Sequence, residues 1–203
     1  MDNPTPDRNS FQNLSTDKAK GLGNVPTRVN LLACIRYEGR RLERLNSVMQ
    51  AIEKTINSTA FRRQVLEFRY RGQYSFYYRR NLLGRYIDKP YTNAQVYEII
   101  MDAQELVKED PEPTIDLYLE LVIGSNGSVI GYGNPGSKEI YTYSEMFDQM
   151  EIDELANHYV HEWCHKIGFD HSYLPTAKRN SSVPYAIGNI IETLLDGNPS
   201  HIE

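Results

Sequence analysis

Residues 158–171 read His-Tyr-Val-His-Glu-Trp-Cys-His-Lys-Ile-Gly-Phe-Asp-His. Within this run His161, Glu162, His165, Gly168 and His171 fall into the spacing H-E-x-x-H-x-x-G-x-x-H. The chain has five histidines, and four of them stand in this window. An α-helix turns once per ~3.6 residues, so side chains four apart share a face. His161 and His165 therefore offer two imidazoles to one ion, and Glu162 points to the side, where a metal-bound water can sit. Gly168 can take the left-handed conformation that ends a helix, because it has no Cβ to clash. The chain then reverses and returns His171 to the same ion. Zinc takes nitrogen ligands at ~2.0–2.1 Å, prefers about four in all, and in catalytic sites leaves one position for water.

The helix that would carry the first two ligands has its own signal. Ile152, Leu155, Ala156, Tyr159, Val160, Trp163, Cys164 and Ile167 recur at three- and four-residue steps, the mark of a buried helical face. His161, Glu162 and His165 border that stripe and can open onto a cleft. His158 lies three residues before His161 and near its face, but three ligands are already supplied, so it is expected to stay off the metal.

The extended motif resembles the metzincin clan of zinc metallopeptidases. The resemblance implies His161, His165 and His171 as ligands of one catalytic Zn²⁺. It also implies Glu162 as the general base that activates a zinc-bound water for attack on a peptide bond. It is close over the motif itself and looser over 92–196, through the order of elements. The chain departs from the clan where a methionine turn should underlie the zinc, since its last methionine, Met150, precedes the motif. Clan members with S-x-M-H-Y there would align with Ser181-Ser182-Val183-Pro184-Tyr185, placing Val183 for the methionine and Pro184 for the histidine. Val183 is then expected to form the apolar floor. Tyr185 either reaches the metal or the oxyanion, as in those members, or is an ordinary half-buried tyrosine. The fold implied is α+β and zincin-like: a small, twisted, mostly mixed sheet, an active-site helix below the cleft and a C-terminal helix. Ser128–Gly133 or Glu139–Tyr143 would be the edge strand that holds an extended peptide by main-chain pairing.

Length and charge bound this reading. The 203 residues fit a flexible arm over 1–28 and a single catalytic domain over 29–203 with an N-terminal helical extension. A net charge of −5 argues against nucleic acid as the main partner and favours no particular substrate; a peptide or protein substrate is what the resemblance implies. Met1–Lys20 shows no apolar core of a signal peptide, and no stretch approaches the ~18 apolar residues of a membrane span. A cytoplasmic home and a signal-independent secretion route both fit. Cys34 and Cys164 do not suggest a disulfide framework. Cys164 falls on the buried helical face, and nothing around Cys34 marks it as a propeptide cap for the zinc.

Elsewhere the pattern predicts a helix over Val29–Ser58 and a strand over Gln64–Tyr70 returning through Arg71-Gly72-Gln73 as Tyr74–Tyr78. Thr92–Val107 reads as a helix opened by a Thr92/Gln95 capping box. Thr114–Ile123 alternates as a strand, followed by the two shorter strand candidates, and Pro184 opens a last helix at its first position, with Gly197 as its stop. Arg69, Arg71, Arg79, Arg80 and Arg85 interleave with Tyr70, Tyr74, Phe76, Tyr77 and Tyr78. Such a mixture can bind nucleic acid or a partner protein, but in an acidic chain a solvated hairpin face is the leading reading. The function expected is that of a zinc-dependent endopeptidase. Two other readings stand beside it: a zincin-fold protein that holds zinc without turnover, and an amide hydrolase acting on a specialised substrate such as a cell-wall peptide or a toxin's protein target.

Overall fold

The computed structural model describes residues 26–72, 76–77, 79–87, 91–107 and 113–197. In chain order its elements are β1 (Arg28–Ile35), α1 (Arg40–Ile56), α2 (Thr59–Glu67), β2 (Arg80–Leu82), β3 (Arg85–Ile87), α3 (Asn93–Asp102), β4 (Thr114–Val122), β5 (Gly131–Gly133), β6 (Glu139–Tyr143), α4 (Ser144–Gln149), α5 (Ile152–Lys166), α6 (Ala177–Asn180) and α7 (Val183–Asp196). The architecture is α+β. Four strands form one mixed sheet in the order β1-β4-β6-β5, in which β1, β4 and β6 run parallel and β5 is antiparallel at the edge.

The alternation in β4 decides which way the sheet faces. Ile115, Leu117, Leu119 and Leu121 are buried, while Asp116, Tyr118, Glu120 and Val122 are half-exposed. A sheet with one buried face needs a helical layer against that face only. Here α1, α5 and α7 pack on one another, and α5 also packs against β5 and β6. Trp163, Tyr159, Phe61, Phe76, Phe147 and Phe169 are the largest side chains of this common core. Helix α1 shares that core, so the helical extension expected at the N-terminal side is part of the layer that carries the motif.

Several expectations need correction. The helix expected over Val29–Ser58 is a strand followed by a helix. The apolar run of β1 fits either period, and parallel pairing with β4, Val29 opposite Ile115 and Cys34 opposite Leu119, selects the strand. Gly39 at φ +53 then separates it from α1. The arm expected over 1–28 ends sooner. Thr27 is buried, its Oγ1 donates to the Met101 carbonyl at 3.0 Å, and Arg28 already belongs to β1; residues 1–25 lie outside the described residues. Gln64–Tyr70 is mostly helix. Ser58 caps α2 by accepting from the Phe61 N–H at 3.0 Å, and Phe61 and Val65 are buried one turn apart. The hairpin falls later, as β2 and β3 around Leu83-Gly84, both at positive φ; Tyr74 and Tyr78 lie outside the described residues. The Thr92/Gln95 capping box is present, but α3 stops at Asp102, where Ala103 turns left-handed at φ +46. Pro184 is the second helical residue of α7, after Val183, and Gly197 ends that helix at φ +69. Ile152 is 37% exposed, whereas the rest of the expected stripe on α5 is buried. Among the described residues no helix is long and apolar enough to cross a membrane.

Lys166, the last residue of α5, is buried, and its ammonium donates to the carbonyls of Asn134 at 3.0 Å, Ser137 at 3.2 Å and Glu139 at 2.6 Å. Three donors meet three acceptors, so the charge is solvated by the turn between β5 and β6. That turn is thereby pinned to the motif helix. Removing the ammonium leaves these carbonyls short of a partner. Lys166→Met is expected to cost about 2–4 kcal/mol, lowering the thermal midpoint by roughly 5–15 °C for a domain this size. A melting curve within 2 °C of the parent would show that the cage contributes nothing.

Candidate metal centre

Helix α5 and the reversal behind it bring His161, His165 and His171 together. One ring nitrogen from each lies within 4.8 Å of the other two. Gly168 makes the reversal at φ +92, where a side chain would be strained. The fully buried Phe169 anchors the returning chain. Nδ1 of His165 lies 2.7 Å from the Phe169 carbonyl, and Nδ1 of His171 lies 3.1 Å from that of Ser172. A carbonyl only accepts, so both Nδ1 atoms carry the proton and both Nε2 atoms present lone pairs. Nε2 of His171 faces Nε2 of His161 at 3.3 Å. Two nitrogens each ~2.0–2.1 Å from one ion at the tetrahedral angle stand about 3.3 Å apart, so the pair has the spacing of two zinc ligands.

The His171 loop is held from outside by part of the arginine–tyrosine cluster. Asn81 N–H donates to the Gly168 carbonyl at 2.7 Å, and Asp170 N–H donates to the Arg79 carbonyl at 2.7 Å. Arg80 Nη2 donates to the Ile167 carbonyl at 2.7 Å, and its guanidinium lies over Phe169. A few residues earlier, Tyr77 N–H donates to the Ser181 carbonyl at 2.9 Å. One extended segment thus ties the loop of His171 to the turn that precedes Tyr185. The arginine–tyrosine cluster, expected as a solvated face, is in this part a strap over the centre.

Glu162 is buried beside the ligands. Burial pushes its carboxyl up to about 7, against the pull of the Gly133 N–H, which hydrogen-bonds it, and of Lys166. The edge strand comes this close because it lacks side chains. A Cβ on Gly133 would stand 3.1 Å from Glu162 Oε2, and one on Gly131 would overlap the Tyr141 carbonyl of β6 and stand 2.8 Å from the His158 ring. Gly-Tyr-Gly in a strand is therefore the sequence trace of a helix packed against one face, a signal that motif reading passed over. Tyr143 N–H donates to the Ile130 carbonyl at 2.9 Å, so Gly131 and Gly133, in alternate register, turn their backbone groups away from β6. Of the two strands considered for the edge, β5 occupies it and β6 is interior.

His158 stays outside the cluster. Its Nε2 is 3.0 Å from Thr142 Oγ1, and burial lowers it to about 3. Tyr185 sits with its ring centre 4.4 Å from that of His161 and 4.9 Å from that of His171. Its hydroxyl accepts from Arg179, whose guanidinium lies over the same ring. Arg179 was not a sequence candidate; it sits on α6, inside what read as a loop. Val183 is fully buried at the start of α7. Trp163 donates to Glu105 at 2.7 Å, which also accepts from the Asp116 N–H at 3.1 Å, fixing α5 against β4. Cys34 and Cys164 are free thiols, and Cys164 is buried.

These groups open on a cleft of about 710 Å³ between β5 on one side and α5 and α7 on the other. Three clustered imidazoles, two of them with Nε2 lone pairs fixed by outward hydrogen bonds, can hold a divalent metal, and a carboxylate at their side can take a proton. Compared with protein-family models, with curated proteins and with solved structures, the chain matches none.

Burial lowers all four imidazoles, His165 to about 4 and His158 to about 3, against ~6.5 in an unfolded chain. Between pH 6.5 and 4 the unfolded chain binds more protons at these sites, so their contribution is full above pH ~6.5 and is lost as pH falls. Glu162, raised to about 7, has the opposite sign in this window, one group against four. The thermal midpoint of chelator-treated protein should therefore drop steadily from pH 6.5 to 4.5. A flat profile would place the histidines in water.

Proposed function

We propose that this chain is a zinc-dependent peptidase that hydrolyses peptide bonds with Glu162 as general base. The observation that carries the reading is the convergence of three imidazoles with a desolvated carboxylate. A divalent metal on this donor set, zinc by its all-nitrogen chemistry, supplies a Lewis acid that lowers the pKa of a water toward ~7 and polarises a carbonyl. The Glu162 oxygens hold the proton taken from the attacking water and hand it to the leaving amine. A carboxyl near 7 suits both halves of that task, and a cation beside it shifts it toward the base. The Tyr185 oxygen already accepts from Arg179, which leaves its own proton to be donated to the carbonyl oxygen as charge develops there. The outward backbone of Gly131 offers an extended peptide a main-chain partner.

A centre that only stored zinc would have no use for a carboxylate withdrawn from water, which costs free energy wherever it stands. Glu162→Gln is expected to retain about one zinc per chain and to lose at least ~10²–10⁴-fold in turnover of a mixed peptide pool. His161→Ala with His165→Ala should lose the metal. Zinc surviving that pair of changes, or wild-type turnover by the Gln variant, would overturn the proposal.

Tyr185→Phe should lower kcat by roughly 10–1,000-fold with zinc content intact, the loss of one oxyanion donor. Arg179→Gln should lower kcat more than it raises KM. The double variant should be no worse than Tyr185→Phe alone, because the guanidinium acts through the phenol. Fully additive losses would mean that Arg179 works elsewhere.

A further inference from the structure

Beyond the three imidazoles the cleft continues between the N-terminal half of α5 and the body of α7. Asn157 lines it one helical turn before His161, and Glu192 lines it two turns after Tyr185. The Glu192 carboxylate is half-buried and accepts from the Asn157 side-chain amide, a neutral donor. Among the described residues no lysine or arginine pairs with it. The amide is aimed by its neighbours. Asn157 Nδ2 also lies 3.2 Å from Asn189 Oδ1, and a Cβ on Gly188 would overlap the Asn157 side chain. Glycine is among the least favourable residues inside a helix. At position 188 its lack of a side chain is what lets Asn157 reach Glu192.

Resting on the peptidase reading, we infer that Glu192 is a specificity residue that receives a long cationic side chain, arginine before lysine, of the bound peptide. A half-buried carboxylate with only an amide partner lacks counter-charge. The rest of the cleft cannot supply it. Besides Glu192 its charged residues are Glu154, Asp170 and the partly protonated Glu162 against Arg179, and Arg179 is engaged with Tyr185; a zinc ion on the histidines would stand at the other end of the cleft, about two helical turns from Glu192. The field at this end is negative and draws in a cation. Reach selects the length. Seven residues along a helix is ~10 Å, so a peptide whose carbonyl lies by the histidines needs an extended side chain to meet Glu192. The planar fork of arginine can pair with both carboxylate oxygens, which an ammonium cannot.

The test is equilibrium binding to the zinc-loaded Glu162→Gln protein, which separates recognition from turnover. The probes are hexapeptide mixtures with one position fixed as arginine, norleucine or glutamate and the rest randomised. At one position arginine should bind about tenfold tighter than norleucine, with glutamate weakest. Adding Glu192→Gln should erase that ranking, and adding Glu192→Arg should invert it toward glutamate, an outcome a misfolded variant cannot produce. No preference at any position, no binding of any mixture, or a ranking that survives Glu192→Gln overturns the inference. Cleavage of peptides by the wild-type protein is scored separately. Cleavage without the ranking sinks the role of Glu192 and leaves the peptidase reading standing. Ranking without cleavage supports the cationic subsite and overturns the peptidase reading.

Discussion

The contact between His165 Nδ1 and the Phe169 carbonyl closes the reversal on which the centre depends. A helix can point only two imidazoles at one ion, because the next residue on that face lies a full turn further along the axis. The third must come from a chain that has turned back. Gly168 permits the turn at φ +92, and the buried Phe169 holds it in place. The same hydrogen bond fixes the proton on Nδ1 and leaves Nε2 for a metal. One local geometry therefore sets the fold of the loop, the tautomer of one ligand and the position of another. The β2 segment then adds two backbone hydrogen bonds and the Arg80 guanidinium from outside, so the loop is braced on both sides.

What could be read from the sequence follows from how local each signal is. Helix α5, strands β4 and β6 and the ends of α7 declare themselves because single-face burial repeats at the helical or strand period. The clustering of His161, His165 and His171 is legible for the same reason, since its spacing is a property of one helix and one turn. The first strand is not legible, because Val29–Ile35 is apolar apart from Asn30 and only its partner β4 decides between strand and helix. The arginine–tyrosine segment is misread because the acceptor of Arg80, the Ile167 carbonyl, is 87 residues away in sequence. Lys166 and Arg179 carried no sequence signal, because charged residues ordinarily stand outside. The burial of Lys166 and the engagement of Arg179 depend on carbonyls and a phenol that only the folded chain brings near. The Gly-Tyr-Gly of β5 was open to reading, since alternate glycines in a strand report something packed against one face.

Taking imidazoles, a carboxylate and an ammonium out of water is costly, and each is compensated differently. Lys166 is solvated by three carbonyls, and Glu162 by a backbone N–H from the edge strand. His158 is held by Thr142. His165 and His171 spend their protons outward on carbonyls, which turns their remaining lone pairs inward beside His161. Without an ion the His161 Nε2–H can donate to the His171 lone pair across 3.3 Å, and a cation would take the place of that proton. The outer hydrogen bonds hold the His165 and His171 donor atoms in position, which is how surrounding residues raise the affinity of a metal site.

Helix α7 links this centre to the remainder of the cleft. Tyr185, Gly188 and Glu192 succeed one another at three- and four-residue steps, so they lie along one face, and that face is packed against α5. The first meets the ligand rings, the second makes room for Asn157, and the third ends in the cleft as a carboxylate. Antiparallel β5 lies across from them with the backbone of Gly131 and Gly133 turned outward. A groove with main-chain partners on one wall and graded polar side chains on the other suits an extended chain better than a compact small molecule. Its uniform wall can take any peptide backbone, so discrimination must come from the helical wall, where the side chains differ from turn to turn.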